Sequence, residues 1–224
     1  MTKYDSTTTS RSNQSIKTTM YGVGYNSGGK HPSHKDGRIS KEYSVWASMM
    51  RRCYSDRDRL MFPAYENCTV HPDWHDFQNF AEWYTNHKYY GLDYCLDKDL
   101  LDIGNTIYSE EKCTLVPHLI NTILLNVKSR RGSLPQGVYF DKVNNKYKSQ
   151  MSIGSKVVSL GRFKDLEDAV AAYNKAKERY VKNIALEWAN RIEWGVFKNL
   201  MLWSVDKPDG YSEPDLTPFV KQGE

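Results

Sequence analysis

Asp97, Asp99 and Asn121 are the oxygen-bearing residues whose types and spacing could do chemistry, and they fall within one stretch, LDKDLLDIGNTIYSEEKCTLVPHLIN, from Leu96 to Asn121. Carboxylate and amide oxygens supplied by two different elements can converge on one divalent cation. Magnesium takes such ligands while keeping waters for a substrate phosphate. Lys98 stands between the two acids. A lysine serves as a base only where burial or neighbouring cations depress its pKa, and flanking carboxylates act in the opposite direction. Lys98 is therefore expected as a phosphate contact or a stabiliser of developing charge.

The elements that must position these groups follow from the local pattern. Asp97 and Asp99 leave a short apolar and acidic segment read as a strand, and the chain turns through Gly104 and Asn105. Ser109 followed by Glu110 and Glu111 has the hydroxyl and the acids of a helix start. Asn121 is then expected on or near the helix that packs under the acids. Upstream, KEYSVWASMMRRCY from Lys41 places Tyr43, Trp46, Met49 or Met50 and Cys53 at helical spacing, with Arg51 and Arg52 beside them to touch phosphate or to solvate the helix end. VHPDWHDFQNFAEWY gives an amphipathic helix beginning near Pro72, with Trp74, Phe77, Phe80 and Ala81 on its apolar face. His31 and His34 lie in a Gly-rich loop and His71 and His75 flank a helix start. All four are expected to be structural or solvated, because metal sites need convergent partners held by a second layer of contacts.

A chain of 224 residues holds one large or two small domains. At 39% hydrophobic but 13% aromatic, with 16 Tyr and 6 Trp, its apolar area comes with polar handles, which suits wet interfaces and base stacking as well as cores. The formal charge of +4 is too small to identify a polyanion partner by itself. Its distribution is more informative, since Lys128, Arg130, Arg131, Lys142, Lys146, Lys148, Lys156 and Arg162 cluster with only Asp141 among them. Cys53, Cys68, Cys95 and Cys113 form no CxxC pair, which argues against a zinc knuckle and gives no disulfide framework. No window approaches a membrane span, so a cytoplasmic protein without membrane contact is expected.

Residues 1–18 are polar and expected to be mobile. Residues 127–136 read as a basic linker, with Lys128, Arg130 and Arg131 able to track a nucleic-acid backbone. Beyond it, two strands flank an Asn144-Asn145 turn, a third runs from Gly154 to Gly161, and a helix starts at Asp165. Alternation places Val138, Phe140, Ser149, Met151, Ile153, Val158 and Leu160 toward that helix. Tyr139, Asp141, Lys148, Gln150, Ser152 and Ser159 then lie on the opposite face, bordered by Lys142, Lys146 and Arg162. From 184 to 204 a further apolar helix is expected either to pack back on the first domain or to cover a partner, a second copy included. The chain beyond it is expected to be extended.

Two family resemblances rest on these residues. LDKDLL, GN, YSEEKC and LVP with Asn121, preceded by YGVGYN, YSVWASMMRRCYS and VHPDWHDFQNFAEWY, resemble phage-type HNH homing endonucleases over most of residues 20–126. That likeness implies a His-Me finger in which Asp97 and Asn121 hold magnesium on a scissile phosphate. It puts Lys98 where the family has its histidine base and Lys112 where it has its middle asparagine, so a degenerate finger that only holds DNA competes with a working nuclease. GVY, KYKSQMSI, LGRF and DAVAAYNKA are similar to the Apetala-two domain of plant ethylene-response factors. There the open sheet face enters the major groove, which implies base contacts from Tyr139, Asp141, Gln150, Ser152 and Ser159 and phosphate contacts from Lys142, Lys146, Lys148 and Arg162. The fold implied is α+β. It comprises an HNH-like strand-turn-helix domain with supporting helices over 19–126, a three-stranded antiparallel sheet on one helix over 137–183, and a C-terminal helix and tail over 184–224. The expected function is site-specific binding of double-stranded DNA, with magnesium-dependent cleavage open. The competing expectation is an inactive regulator, or an inhibitor of a host protein.

Overall fold

A computed structural model describes residues 19–124 and 134–205. The expectations for residues 1–18, for the tail after 205, and for Lys128, Arg130 and Arg131 of the basic linker concern residues outside the described ones. The architecture is α+β, with small sheets, and the chain divides into two compact units, Met1–Asn86 and His87–Glu224. That division places the Leu96–Asn121 stretch in the same unit as the three-stranded sheet, whereas the sequence pattern grouped it with the helices upstream.

In the N-terminal unit, strands β1 (His34–Lys35) and β2 (Arg38–Ile39) form a minimal antiparallel hairpin that leads into helix α1 (Lys41–Tyr54). Ser40 caps α1 by accepting from the Tyr43 amide, as hydroxyl side chains do at helix starts. Trp46, Met49, Met50 and Cys53 are buried on one face, as their spacing predicts, and the Trp46 indole donates to the Trp74 carbonyl at 2.8 Å. Helix α2 (Asp56–Met61), a 3-10 turn at Pro63–Tyr65 and strand β3 (Thr69–Val70) follow.

The helix expected from Pro72 is two elements, a 3-10 turn Pro72–His75 and helix α3 (Phe77–Asn86). Asp76 separates them with an extended backbone, and its carboxylate accepts from the amides of Ser27 at 3.0 Å and Gln78 at 3.2 Å. An acid that can bind nearby amides competes with helix continuation. Helix α3 also fastens the Gly-rich loop. Gln78 exchanges hydrogen bonds with the His31 backbone and holds Asn26, while Glu82 takes His31 at 2.8 Å and Lys30 at 2.9 Å.

The C-terminal unit opens with strands β4 (Tyr94–Asp97), β5 (Ile107–Tyr108) and β6 (Thr114–Pro117), then helix α4 (His118–Ile123). β4 and β6 pair antiparallel, Asp97 facing Thr114. The helix start read at Ser109 is corrected here. Ser109 to Lys112 make a turn, with the Cys113 amide donating to the Ser109 carbonyl at 2.9 Å, and the chain runs on into β6. Leu115 and Val116 are buried strand residues, and the helix begins only after Pro117.

Strands β7 (Val138–Asp141), β8 (Lys146–Ile153) and β9 (Lys156–Phe163) form the antiparallel sheet. Helix α5 (Leu166–Trp188) starts at Asp165 and runs without a break past the expected boundary at 183, and helix α6 (Trp194–Leu202) follows. Ala169 and Tyr173, near the start of α5, are buried in the region where the helix covers Val138, Ser149 and Met151 of the sheet. Its far end contributes Val181, Ile184 and Ala185 to a core with Val116, Ile120, Ile123, Val196, Phe197 and Leu200. The C-terminal apolar helix thus packs into the chain's own core, against β6 and α4. Among the described residues no helix is long and apolar enough to cross a membrane.

Gly137 lets α5 lie close on the sheet. At φ +74 a Cβ there would stand 2.1 Å from the Tyr173 ring and 2.6 Å from the Gln150 carbonyl oxygen. Gly137→Ala is expected to destabilise the C-terminal unit by about 3 kcal/mol, through left-handed backbone strain and overpacking together, as read from urea unfolding.

In the other unit, the His31 imidazole first, then Lys30 and Asn86, hold the Glu82 carboxyl down at about 2. A depressed carboxyl contributes stability that is complete above its unfolded-state value and lost as pH falls through the folded one. The Glu82 contacts to Lys30 and His31 should therefore persist at pH 5 and weaken between the ordinary carboxylate range and about 2, with the Gln78 bonds to Asn26 and His31 retained, whereas Glu82→Gln should show no such pH dependence. Amide exchange of residues 26–31 across that window checks it.

Candidate functional site

The open face of the sheet is built by register. Residues directly opposite each other in an antiparallel pair share a face. Tyr139 faces Lys148, Lys148 faces Arg162, Gln150 faces Ser159 and Ser152 faces Val157. The six expected contacts Tyr139, Lys148, Gln150, Ser152, Ser159 and Arg162 are thus brought onto one surface, and α5 packs on the other side. Tyr139 is 55% exposed and Val157 61%, so this face is open among the described residues.

A bulge decides part of this arrangement. Ser149 pairs with Gly161 but Gln150 with Ser159, which leaves Leu160 without a partner. Strict alternation would turn Arg162 toward α5. The extra residue returns it to the open face, in the same row as Lys148 and Tyr139. Gly161, at φ +134, supplies the backbone freedom that the irregularity uses. Phe140, Ile153 and Val158 lie on the α5 side, as expected, but α5 leaves them partly exposed at the rim.

Lys146 pairs with Asp141 at the hairpin end, and Lys142 lies in the turn. Asp141, expected as a base contact, is committed to that turn. It accepts from the Val143 and Asn144 amides and from the Asn144 side chain at 2.8 Å, and it lies 3.5 Å from the Arg162 Nε. Asn144 above all holds the Asp141 carboxyl below its ordinary range.

The second candidate centre is the finger of β4, β6 and α4. Asp97 ends β4 and is buried. Its Oδ1 accepts from the amides of Asp99 at 2.8 Å and Leu100 at 2.7 Å, and burial pushes its carboxyl up, toward the neutral form, against the pull of those amides. Lys98 is also buried. Its ammonium donates to Asp99 and, at 2.8 Å, to the Asn105 carbonyl, and it lies 5.9 Å from the centre of the Tyr108 ring. Lys112 is exposed and donates to Asp102 at 2.6 Å, a pairing that raises its pKa. Asn121 lies half-buried on α4.

Asn105 is the residue the motif reading passed over. Its side chain donates to the Lys98 carbonyl at 2.8 Å and the Ile107 carbonyl at 2.7 Å, and accepts from the Ile107 amide, so it ties the two ends of loop 98–107 together. Position 112 does no such bracing. The Gly104-Asn105 pair was visible only as a turn, because cross-loop hydrogen bonds have no periodic signature.

These donors fit a magnesium ion poorly. One oxygen of Asp97 is already shared by two amides, and Asp99 faces an ammonium. Among the described residues no three His, Cys, Asp or Glu side chains gather as a metal site. Set against protein-family models, curated proteins and solved structures, the chain matches none.

Asp97→Ala is expected to cost about 2 kcal/mol or more, because two amides lose their acceptor. Asp97→Asn keeps an oxygen in the same place and should unfold within about 1 kcal/mol of the natural chain. Equal and severe destabilisation by both substitutions in urea titrations would show that the negative charge, rather than the acceptor geometry, is what this position requires.

Proposed function

We propose that this protein binds duplex DNA site-selectively through the open face of β7, β8 and β9, and that the finger of β4, β6 and α4 is a rigid support for it rather than a cleaving centre. The observation that carries the reading is the register that gathers Tyr139, Lys148, Gln150, Ser152, Ser159 and Arg162 on one uncovered surface. A twisted antiparallel sheet fits the major groove. Gln150 is then the side chain suited to read an adenine edge, while Lys148 and Arg162 take phosphates, and Lys142 and Lys146 extend the cationic edge. The strand-turn-helix order of the finger and the three strands on one helix support the HNH and Apetala-two resemblances. As in phage proteins of those families, the setting is the cytoplasm of a host cell.

Support for a non-cleaving finger comes from how its polar groups are committed. Asp97 caps the turn that follows β4, Lys98 is buried on Asp99 and Asn105, and Lys112 is paired with Asp102. Asp97 and Lys98 are buried with their polar groups engaged inside the fold, and Lys112 is paired with Asp102 at the surface.

A second reading, an inhibitor or regulator that holds a host protein or a second copy of itself, is favoured by one observation in the N-terminal unit. Leu60, at 84% exposed, is followed by exposed Met61, Phe62, Pro63 and Ala64. Such a run is unusual on a surface without a partner.

Fluorescence anisotropy on a pool of random duplexes, followed by selection, tests the first reading. The chain should retain duplex, and affinity should fall with salt. Lys148→Ala combined with Arg162→Ala should lower the slope of log affinity against log salt by about 2. Gln150→Ala should relax base preference at one position by about 1–3 kcal/mol. Supercoiled plasmid incubated with magnesium or manganese should stay intact, and nicking abolished by Asp97→Asn would restore the nuclease. Absence of duplex affinity, with an assembly broken by Leu60→Asp in sedimentation velocity, would favour the second reading.

A further inference from the structure

We infer that the β1–β2 hairpin is a second contact for the duplex, a pair of facing cations that takes one backbone phosphate; the inference rests on the DNA-binding reading above. Asp36 and Gly37 form its two-residue turn with φ of 52 and 73, the left-handed pair that a mirror-image hairpin turn requires. The register that this turn imposes sets Lys35 directly opposite Arg38, so the two side chains leave the same face of the ribbon as nearest cross-strand neighbours.

Like charges in facing positions repel, and a hairpin this short has few contacts to offset that repulsion. Nothing in the described chain relieves it. Both residues are exposed, and among the described residues neither side chain has a hydrogen bond or an ion pair. The acid nearest in sequence, Asp36, occupies the turn, where its type suits the left-handed backbone. Lys30, in the same basic stretch, behaves differently. Its ammonium is held on Glu82 at 2.9 Å, so its charge is answered within the fold. A phosphodiester between Lys35 and Arg38 would answer theirs, the guanidinium as a planar fork and the ammonium as a point charge.

The hairpin is also mounted to hold its position. The Ser40 amide donates to the Ser33 carbonyl at 2.9 Å and closes the rung beyond His34 and Ile39. Ser40 then caps α1, so the ribbon leads straight into a 14-residue helix. On the other side, Gln78 and Glu82 of α3 fasten His31. Two cations on a ribbon fixed at both ends lose little freedom on meeting a phosphate, which is what preorganisation contributes to binding.

The test is the salt dependence of duplex binding by the full chain. Lys35→Gln with Arg38→Gln keeps side-chain length and the turn. It should lower the slope of log affinity against log salt by about 1 and weaken binding roughly tenfold near physiological salt. The charge-preserving exchange Lys35→Arg with Arg38→Lys should keep the natural slope, and Lys30→Gln should leave it unchanged. Circular dichroism verifies that each variant is folded. If the natural chain binds duplex and the Gln pair binds it with the same slope, the hairpin is not a phosphate contact and the sheet reading stands. If the natural chain does not bind duplex at all, the sheet reading falls and this inference falls with it.

Discussion

One helix fixes the geometry of the C-terminal unit. Helix α5 is 23 residues long, roughly 34 Å at 1.5 Å per residue, and it belongs to two cores at once. Its first turns bury Ala169 and Tyr173 where it covers the three-stranded sheet, and its last turns bury Val181, Ile184 and Ala185 with the finger and α6. A continuous helix between two cores allows little independent motion. The open sheet face is therefore coupled through α5 to β6, α4 and α6, and each core stabilises the other. An apolar C-terminal segment that could have served a partner is used up in this way. Asn199 adds polar fastening where α6 meets the finger loop, donating to the Leu100 and Leu101 carbonyls at 2.9 and 3.0 Å.

The formal charge understates how cationic parts of the described surface are. Many of its acids are committed to internal hydrogen bonds. Asp76 ties Ser27 to the start of α3, Asp97 caps the turn after β4, Asp141 closes a hairpin, and Glu193 takes Thr114 at 2.8 Å and His87 at 3.3 Å. Cations divide into two groups. Lys30, Lys98 and Lys112 answer acids or carbonyls inside the fold, whereas Lys35, Arg38 and Lys148 do not. Arg162 is intermediate, since it lies near Asp141 yet remains half-exposed. Engaging acids in internal hydrogen bonds and leaving cations outside generates local positive fields that a formal charge of +4 understates.

How much was legible in the sequence depends on whether a feature is periodic. Helix α1, the start of α5 and the order β7, β8, β9 follow from apolar spacing and turn residues, and the core positions Trp46, Phe77, Val138 and Met151 come with them. Features set by single hydrogen bonds were not legible. Ser109 with two acids has the composition of a helix start, but buried Leu115 and Val116 are better satisfied in a strand paired with β4, and tertiary pairing overrode the local preference. Asp76 broke a helix whose apolar face looked continuous, because its carboxylate had two amides to serve. The bulge at Leu160 keeps Arg162 on the expected open face although strict alternation would turn it toward α5, and its only trace was Gly161 within a strand pattern. The open face was legible in outline for the same reason that its details were not: period two gives the faces, and one extra residue shifts everything beyond it.

Loop 98–107 shows how side chains can order an irregular segment. Only its first residues are buried, and its backbone groups, lacking a regular ladder, need side-chain partners to be ordered. Asn105 satisfies three backbone groups with one side chain, those of Lys98 and Ile107. The Lys98 ammonium then supplies a positive centre inside the loop, bound to Asp99 and to the Asn105 carbonyl and lying near the Tyr108 ring. A buried lysine is tolerable only when paired and hydrogen-bonded in this way. These internal hydrogen bonds order the loop around the Lys98 ammonium. The element best recognised by its spacing as a candidate for chemistry is thus held by hydrogen bonds among its own groups, whereas Lys35, Arg38 and Lys148, on the hairpin and the sheet, have no such internal partners among the described residues.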